Sequence, residues 1–209
     1  MGNDRAAKHE AQEPAATRGR LVVLSGPAGA GKTTVAQHLC SALGIRRSVS
    51  ATTRPARPDE VDGRDYFFVS EAEFRRRLAR GELLEHARVH GHLYGTPRRP
   101  VEEALRAGES RLLVIDVQGA LQVRANCPDA LLVFVDAPDA TLEQRLAGRG
   151  TEGQEEQQKR RATAPAERQF KEHYDYCVVN DDLERTVAEL RAILSRSGRP
   201  EDRRHTLDG

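Results

Sequence analysis

The chain has 209 residues, 33 basic and 32 acidic side chains and a formal net charge of +1, so no global field draws it to nucleic acid or to a membrane surface. That length suits one α/β domain with inserted pieces and is short for two independent large domains. Cys40, Cys127 and Cys177 are odd in number and free of C-x-x-C spacing, which argues against a disulfide framework or a zinc site; with apolar runs far shorter than a bilayer span, the expectation is a cytoplasmic protein with no membrane partner.

Met1 to Arg18 is polar without an apolar period and reads as a disordered leader, as does the tail from Ser197 to Gly209. Between them, short strands are predicted at Leu21 to Leu24, Arg111 to Ile115, Leu131 to Val135 and Tyr176 to Val179, alternating with helical segments. Such alternation predicts a parallel sheet flanked by helices on both faces. A helix runs from Thr34 to Ala42. Ser70-Glu71-Ala72-Glu73 forms a capping box for a second helix that closes near Gly81, and Thr96-Pro97 has the cap-then-proline order for a third, ending near Gly108. Asp139 caps a helix that carries Leu142 and Leu146 toward the core and ends at Gly150, with Arg145 and Arg149 four apart on one face. The last helix repeats apolar residues at Leu183, Val187, Leu190 and Leu194, a packing stripe. Two polar intervals, Arg47 to Gly95 and Gly148 to Tyr174, interrupt the alternation and read as insertions over the carboxyl edge of the sheet, where α/β ligands bind.

Gly26-Pro27-Ala28-Gly29-Ala30-Gly31-Lys32-Thr33 matches G-x-x-x-x-G-K-[ST] between the first strand and the helix opening at Thr34. Glycines at this spacing let successive backbone N–H groups face one anion, and the helix adds its positive end. Lys32 supplies a charge for the outer phosphates of a nucleoside triphosphate and Thr33 a hydroxyl for Mg²⁺. Lysine otherwise occurs only at Lys8, Lys159 and Lys171, so almost all the positive charge is arginine, and an arginine signifies little unless its position is specified.

The run from Ser50 to Phe68, with Arg54, Arg57 and Tyr66, resembles the nucleoside-monophosphate signature of guanylate kinases. The likeness continues through Glu85, His90-Gly91-His92-Leu93-Tyr94-Gly95-Thr96-Pro97, Ile115-Asp116-Val117-Gln118-Gly119-Ala120, Gly148-Arg149-Gly150-Thr151 and Val179-Asn180-Asp181-Asp182-Leu183. It implies a P-loop kinase fold over residues 19–196, with a core (19–46 and 98–196), a GMP-binding subdomain (47–97) and a lid (about 145–174). The implied reaction is ATP with GMP, and with dGMP, giving ADP and the diphosphate, with Mg²⁺.

In that resemblance Arg54, Arg57, Tyr66 and Tyr94 hold the acceptor phosphate beside Gly95. Glu85 accepts from guanine N1–H and N2–H, while Ser50 and Thr96 donate to O6. Adenine reverses the polarity at N1 and the 6-position, so AMP would face an unpaired buried carboxylate. Arg149 and Arg160 clamp the ATP phosphates and the transition state, with Arg145 beside them; Asn180 lies near adenine, and Asp116 orients Mg²⁺ water or meets the acceptor base. Asp116 and Asn180 can equally serve as capping residues. Five positions depart from the family, among them Ala28, which stands where serine is common in the phosphate loop, a lesser departure because backbone amides make the cradle. Val114 stands where an acidic residue is usual, His86 where an aromatic is usual, Arg161 replaces an apolar lid residue, and Pro165 falls where a helix would be broken or kinked. These leave open a related kinase acting on another nucleotide or a phosphorylated sugar, or a noncatalytic interaction module, against which Lys32, Arg149 and Arg160 weigh.

Overall fold

The computed structural model describes residues 18–147 and 163–196. Apolar runs bounded by polar turns become the strands β1 (Leu21–Ser25), β7 (Arg111–Val114), β8 (Leu131–Asp136) and β9 (Tyr176–Val179). With the two-residue β2 (Arg46–Arg47) they form a parallel sheet in the order β2-β7-β1-β8-β9. Every residue of β1 and β8 is buried, because each side of the sheet is covered. Val22 and Leu24 face one layer, formed by α1 (Lys32–Leu43) and α7 (Leu183–Arg196); Leu21 and Val23 face the other, formed by α3 (Arg98–Arg106) and α4 (Val117–Asn126). Burying both faces, at roughly 1.5–3 kcal/mol for each fully covered Leu, Val or Phe, is what dictates the uninterrupted apolar sequence of these strands.

A second sheet, which periodicity does not reveal, occupies the first polar interval. Strands β3 (Ala51–Thr52), β4 (Phe67–Phe68), β5 (Leu83–Val89) and β6 (His92–Pro97) pair in the order β4-β3-β6-β5. The β5/β6 hairpin turns through His90 and Gly91, both at positive φ (48° and 85°), the two-residue geometry that suits strand twist. Helix α2 (Glu71–Ala79) covers this sheet through Phe74, which packs with Ala51 and Leu83.

The free edge of β5 is closed by α4. Gln122, through its side-chain amide, accepts from the His86 N–H (3.0 Å) and donates to its carbonyl (2.6 Å), and Asn126, one turn further on, donates to the Leu84 carbonyl (3.0 Å). These side chains supply partners along the β5 edge and fix the small sheet to the core along the middle and C-terminal end of α4.

Several local expectations are corrected. Ser70 caps α2 by accepting from the Glu73 N–H, but the Glu73 carboxylate binds Arg76 and Arg77, so the box has one arm. Thr96 does not cap α3: it lies in β6, Pro97 occupies the cap position, and the threonine hydroxyl is drawn to a buried carboxylate. Asp139 does not cap α5 (Asp139–Ala147); it is the first helical residue and its carboxylate binds Arg168 (2.6 Å), while the Pro138 carbonyl accepts the first N–H groups. In α7 the buried stripe passes through Thr186, Leu190 and Leu194, with Leu183 only partly covered. Residues 163–168 form a helical segment, α6, on both sides of Pro165, so the proline does not break it there. Among the described residues no helix is long and apolar enough to cross a membrane.

Candidate active site

One cleft of about 240 Å³ runs along the carboxyl ends of the strands, from the turn after β1 to the inner face of the small sheet. At one end lie Gly26, Ala28, Gly29, Gly31, Lys32 and Thr33; at the other, Ser50, Arg54, Arg57, Tyr66, Glu85 and Tyr94, with Asp116 between.

The glycine turn has the conformation that its sequence demands. Gly26, Gly29 and Gly31 all have positive φ, and a Cβ on Gly26 would lie 2.1 Å from the Val135 carbonyl oxygen. Gly31 stands at the N-cap of α1 and no side chain caps that helix, which leaves its first-turn N–H groups directed at the cleft. Lys32 Nζ donates to the Gly26 and Pro27 carbonyls (2.6 and 2.8 Å), holding the ammonium at the mouth of the loop. Behind the loop, the Ala30 carbonyl accepts from Asn180 Nδ2 (2.7 Å) and from Arg145 Nη1 (3.4 Å). Asn180, buried at the end of β9, thus braces the loop, and Arg145 reaches it from α5. Pro27, Ala30 and Thr34 belong to the loop and its helix without lining the cleft.

At the far end the cationic and phenolic groups converge. Arg54 lies over the Tyr66 ring (5.5 Å) and the Phe68 ring (5.8 Å), and Tyr66 meets Tyr94 edge-on with centroids 6.0 Å apart. Glu60 holds both arginines: its carboxylate accepts from Arg54 Nη2 (2.7 Å) and the Arg57 N–H (2.8 Å) and lies 4.0 Å from Arg57 Nη1. Burial opposes the Glu60 charge, yet the arginines and the backbone N–H hold its carboxyl below the usual range. Glu60 was missed from sequence, although its place three residues after Arg57 is a signal for such a counter-charge. Tyr66 has its phenol pushed up, first by burial.

Beside this cluster, Glu85 is 3% exposed. Its Oε1 accepts from Thr96 Oγ1 at 2.6 Å, and Thr96 Oγ1 lies 3.4 Å from Ser50 Oγ. Burial, with the Asp116 charge adding, raises the Glu85 carboxyl from 4.5 to about 7. Gly95 and Thr96 support this carboxylate from β6, buried behind the cleft wall. Gly119 lets these carboxylates pack against α4, since a Cβ there would stand 2.3 Å from Glu85 Oε2 and 3.2 Å from Asp116 Oδ1 and would have to displace them. Asp116 caps α4 through the Gly119 N–H (2.9 Å) and also lines the cleft; its carboxyl is raised, first by burial, with Lys32 opposing.

Val114 joins the cleft wall with its side chain against the core, and His86 is half-buried on β5, held by Gln122 through its backbone. Val89, His90, Ile115, Thr163 and Glu167 also line the cleft, and sequence reasoning singled out none of them for the site. Arg149 and Arg160 lie outside the described residues, as does Arg161.

Thr33 and Asp116 bring a hydroxyl and a carboxylate to one cleft, and no group of three or more His, Cys, Asp or Glu side chains converges as a metal cage among the described residues. That sparse oxygen donor set fits Mg²⁺, which keeps much of its water and is held by one or two protein groups together with substrate phosphates.

A glycine loop feeding a helix N-terminus at the centre of a parallel sheet, opposite a cluster of arginines and phenols, defines a P-loop phosphotransferase. The profile described as guanylate kinase matches residues 18–197, and the chain belongs to the guanylate kinase family. A guanylate kinase of Symbiobacterium thermophilum is 51% identical over 183 residues, covering 87% of each chain. One of Rubrobacter xylanophilus is 48% identical over 181 residues, covering 86% of this chain and 95% of its own. Among solved structures, guanylate kinase from Anaplasma phagocytophilum matches with a TM-score of 0.71 and 36% identity, covering 91% of this chain and 89% of that one.

Proposed function

We propose that the chain transfers the γ-phosphoryl group of ATP to GMP, and to dGMP, giving ADP and the nucleoside diphosphate. The observation that carries this reading is one cleft with a phosphate loop at one end and, at the other, a buried carboxylate and two hydroxyls beside paired arginines. Guanine offers an acceptor at O6 and donors at N1 and N2, the complement of Ser50, Thr96 and Glu85. ATP lies with its phosphates on Gly26 to Thr33, backed by Arg145 and Asn180 behind the loop, and Arg54, Arg57, Tyr66 and Tyr94 hold the acceptor phosphate. Arg149 and Arg160 balance charge on the moving group. Thr33 and Asp116 would hold Mg²⁺, which when bound would supply neutralisation of charge on the phosphate oxygens. The protein's own task is alignment and electrostatic balance, since phosphoryl transfer requires little covalent participation. Residues 47–97 form the GMP-binding subdomain, about 145–174 the lid, and the setting is cytoplasmic.

The test is an ADP-release assay with ATP, Mg²⁺ and each of GMP, dGMP, AMP, CMP and UMP. Turnover confined to the guanine nucleotides is expected. Turnover with another acceptor and none with GMP would overturn the assignment.

A further inference from the structure

Buried polar side-chain atoms in a folded protein nearly always have partners, and clustered exceptions mark places where water or an ion completes the site. Among the described residues four such atoms have no hydrogen-bond partner: Ser25 Oγ, Glu167 Oε2, Tyr174 Oη and Asn180 Oδ1. All belong to segments that meet around the phosphate loop. Ser25 immediately precedes Gly26 and is fully buried; Asn180 braces Ala30; Tyr174 is 7% exposed. The Ser25 hydroxyl bears on the ionisation of the Tyr174 phenol, as do the charges of Asp116 and Glu167, so these groups are neighbours although neither hydroxyl meets a partner in hydrogen-bonding geometry.

Glu167 lines the cleft with Lys32, Thr33 and Asp116. It is half-buried, its Oε2 is shut off from solvent, and Lys32 and Asp116 both act on its charge in opposite directions. Its position is set by the next residue. Arg168 donates to Asp136 (2.9 Å from Nε to Oδ2), to the Ala137 carbonyl (2.9 Å) and to Asp139 (2.6 Å), tying α6 to the end of β8. An anchored carboxylate that lines the cleft and has no hydrogen-bond partner on its Oε2 is placed to receive protons from water that enters with the ligands.

We infer that Glu167, backed by the hydroxyls of Tyr174 and Ser25, is a positioning residue for the hydrated divalent cation of the ATP site, accepting hydrogen bonds from the water around the ion and leaving the ion to Thr33, Asp116 and the phosphates. The inference rests on the proposed ATP site and adds a residue to it. Mg²⁺ gives up its water reluctantly, so a carboxylate that orders that water contributes to metal affinity without touching the metal.

The experiment titrates Mg²⁺ calorimetrically into protein loaded with a β,γ-imido analogue of ATP. Glu167→Gln should weaken Mg²⁺ binding by about tenfold or more, the scale for losing a group that orients a metal's ligands. Metal-free analogue binding and the unfolding temperature should not fall. Tyr174→Phe should weaken Mg²⁺ in the same direction by less. Should Glu167→Gln not fold, Glu167→Asp, which keeps the charge and shortens its reach, should show the same loss. A folded Glu167 variant with Mg²⁺ affinity within about twofold of the parent overturns the inference. So does tighter metal-free binding with an unchanged magnesium dependence, the outcome for a carboxylate that only answers Lys32. Failure of the parent protein to bind the analogue would instead overturn the ATP site itself, and this inference with it.

Discussion

Replacing Glu85 by glutamine should lower activity and raise stability at once. The carboxyl is 3% exposed and raised from 4.5 to about 7, chiefly by burial. A raised folded-state value means that the folded protein holds a proton that the unfolded chain has released. The group's contribution is therefore full below 4.5, is lost as pH rises to about 7, and is constant above. At 1.36 kcal/mol per unit, the ionised carboxylate costs the empty protein about 3 kcal/mol at pH 8. Glutamine carries no charge, can still accept from Thr96, and can direct its amide toward Asp116, so denaturant unfolding at pH 8 should show a gain of about 1–3 kcal/mol that vanishes near pH 4. The same change leaves at most one acceptor for two guanine donors and removes a charge-assisted pair, which amounts to about 2–4 kcal/mol in transition-state binding and a fall of tens to several hundredfold in kcat/KM for GMP. ATP binding should hardly move. Turnover of GMP within about threefold of the parent would refute Glu85 as the guanine-facing group, and a variant less stable than the parent at pH 8 would refute the burial argument.

Lys32→Ala should abolish phosphoryl transfer while the protein stays folded, because the loop is shaped by its glycines and backbone and loses only the ammonium; single-turnover kinetics beside an unchanged unfolding curve would check this. Gly119→Ala should raise KM for GMP by about tenfold or more and leave ATP affinity alone, since the new methyl must displace the Glu85 carboxylate; titration of each nucleotide decides. Because kcat/KM reports the free enzyme, its profile for GMP should fall on the acid side with a midpoint near the Glu85 value of about 7, with no such limb in ATP binding; a flat profile between pH 5 and 8 would contradict an ionised Glu85 as the reader.

The strands and the phosphate loop were legible because their physics is local. A strand buried on both faces needs an unbroken apolar run, and a loop that wraps an anion needs glycine where φ is positive. The residues proposed for the acceptor site were legible only through the order of their motifs: Glu85 in isolation is one acidic residue among 32. The small sheet escaped detection because β3 and β4 have two residues each, and the His90-Gly91 turn lacks the Asn-Gly or Asp-Gly pattern that marks such hairpins. Thr96 shows why local rules fail where the chain does chemistry. Its position before Pro97 reads as a helix cap, yet a buried carboxylate 2.6 Å away claims the hydroxyl.

The same conflict explains where the molecule carries its unmet polar groups. Over the rest of the described interior, buried charge is answered locally: Asp136 binds Arg168, Lys171 and the Ala137 N–H and stays below the usual carboxylate range despite burial. Around the cleft, apart from Glu60 with its arginines, the opposite holds. Glu85 and Glu167 are both raised to about 7 by burial, and Ser25, Tyr174 and Asn180 each keep a polar atom unpaired. A sequence selected for stability alone would remove these groups, as burying unpaired polar atoms is destabilising. Glu85 and Glu167 line the cleft and the other three lie on segments next to its phosphate loop, a placement that makes sense if their partners arrive with the substrates: guanine for Glu85, and the phosphates with their hydrated ion for the groups around the loop. Ligand binding should then stabilise the fold beyond what the added contacts alone supply, because it also removes desolvation costs that the empty protein already bears.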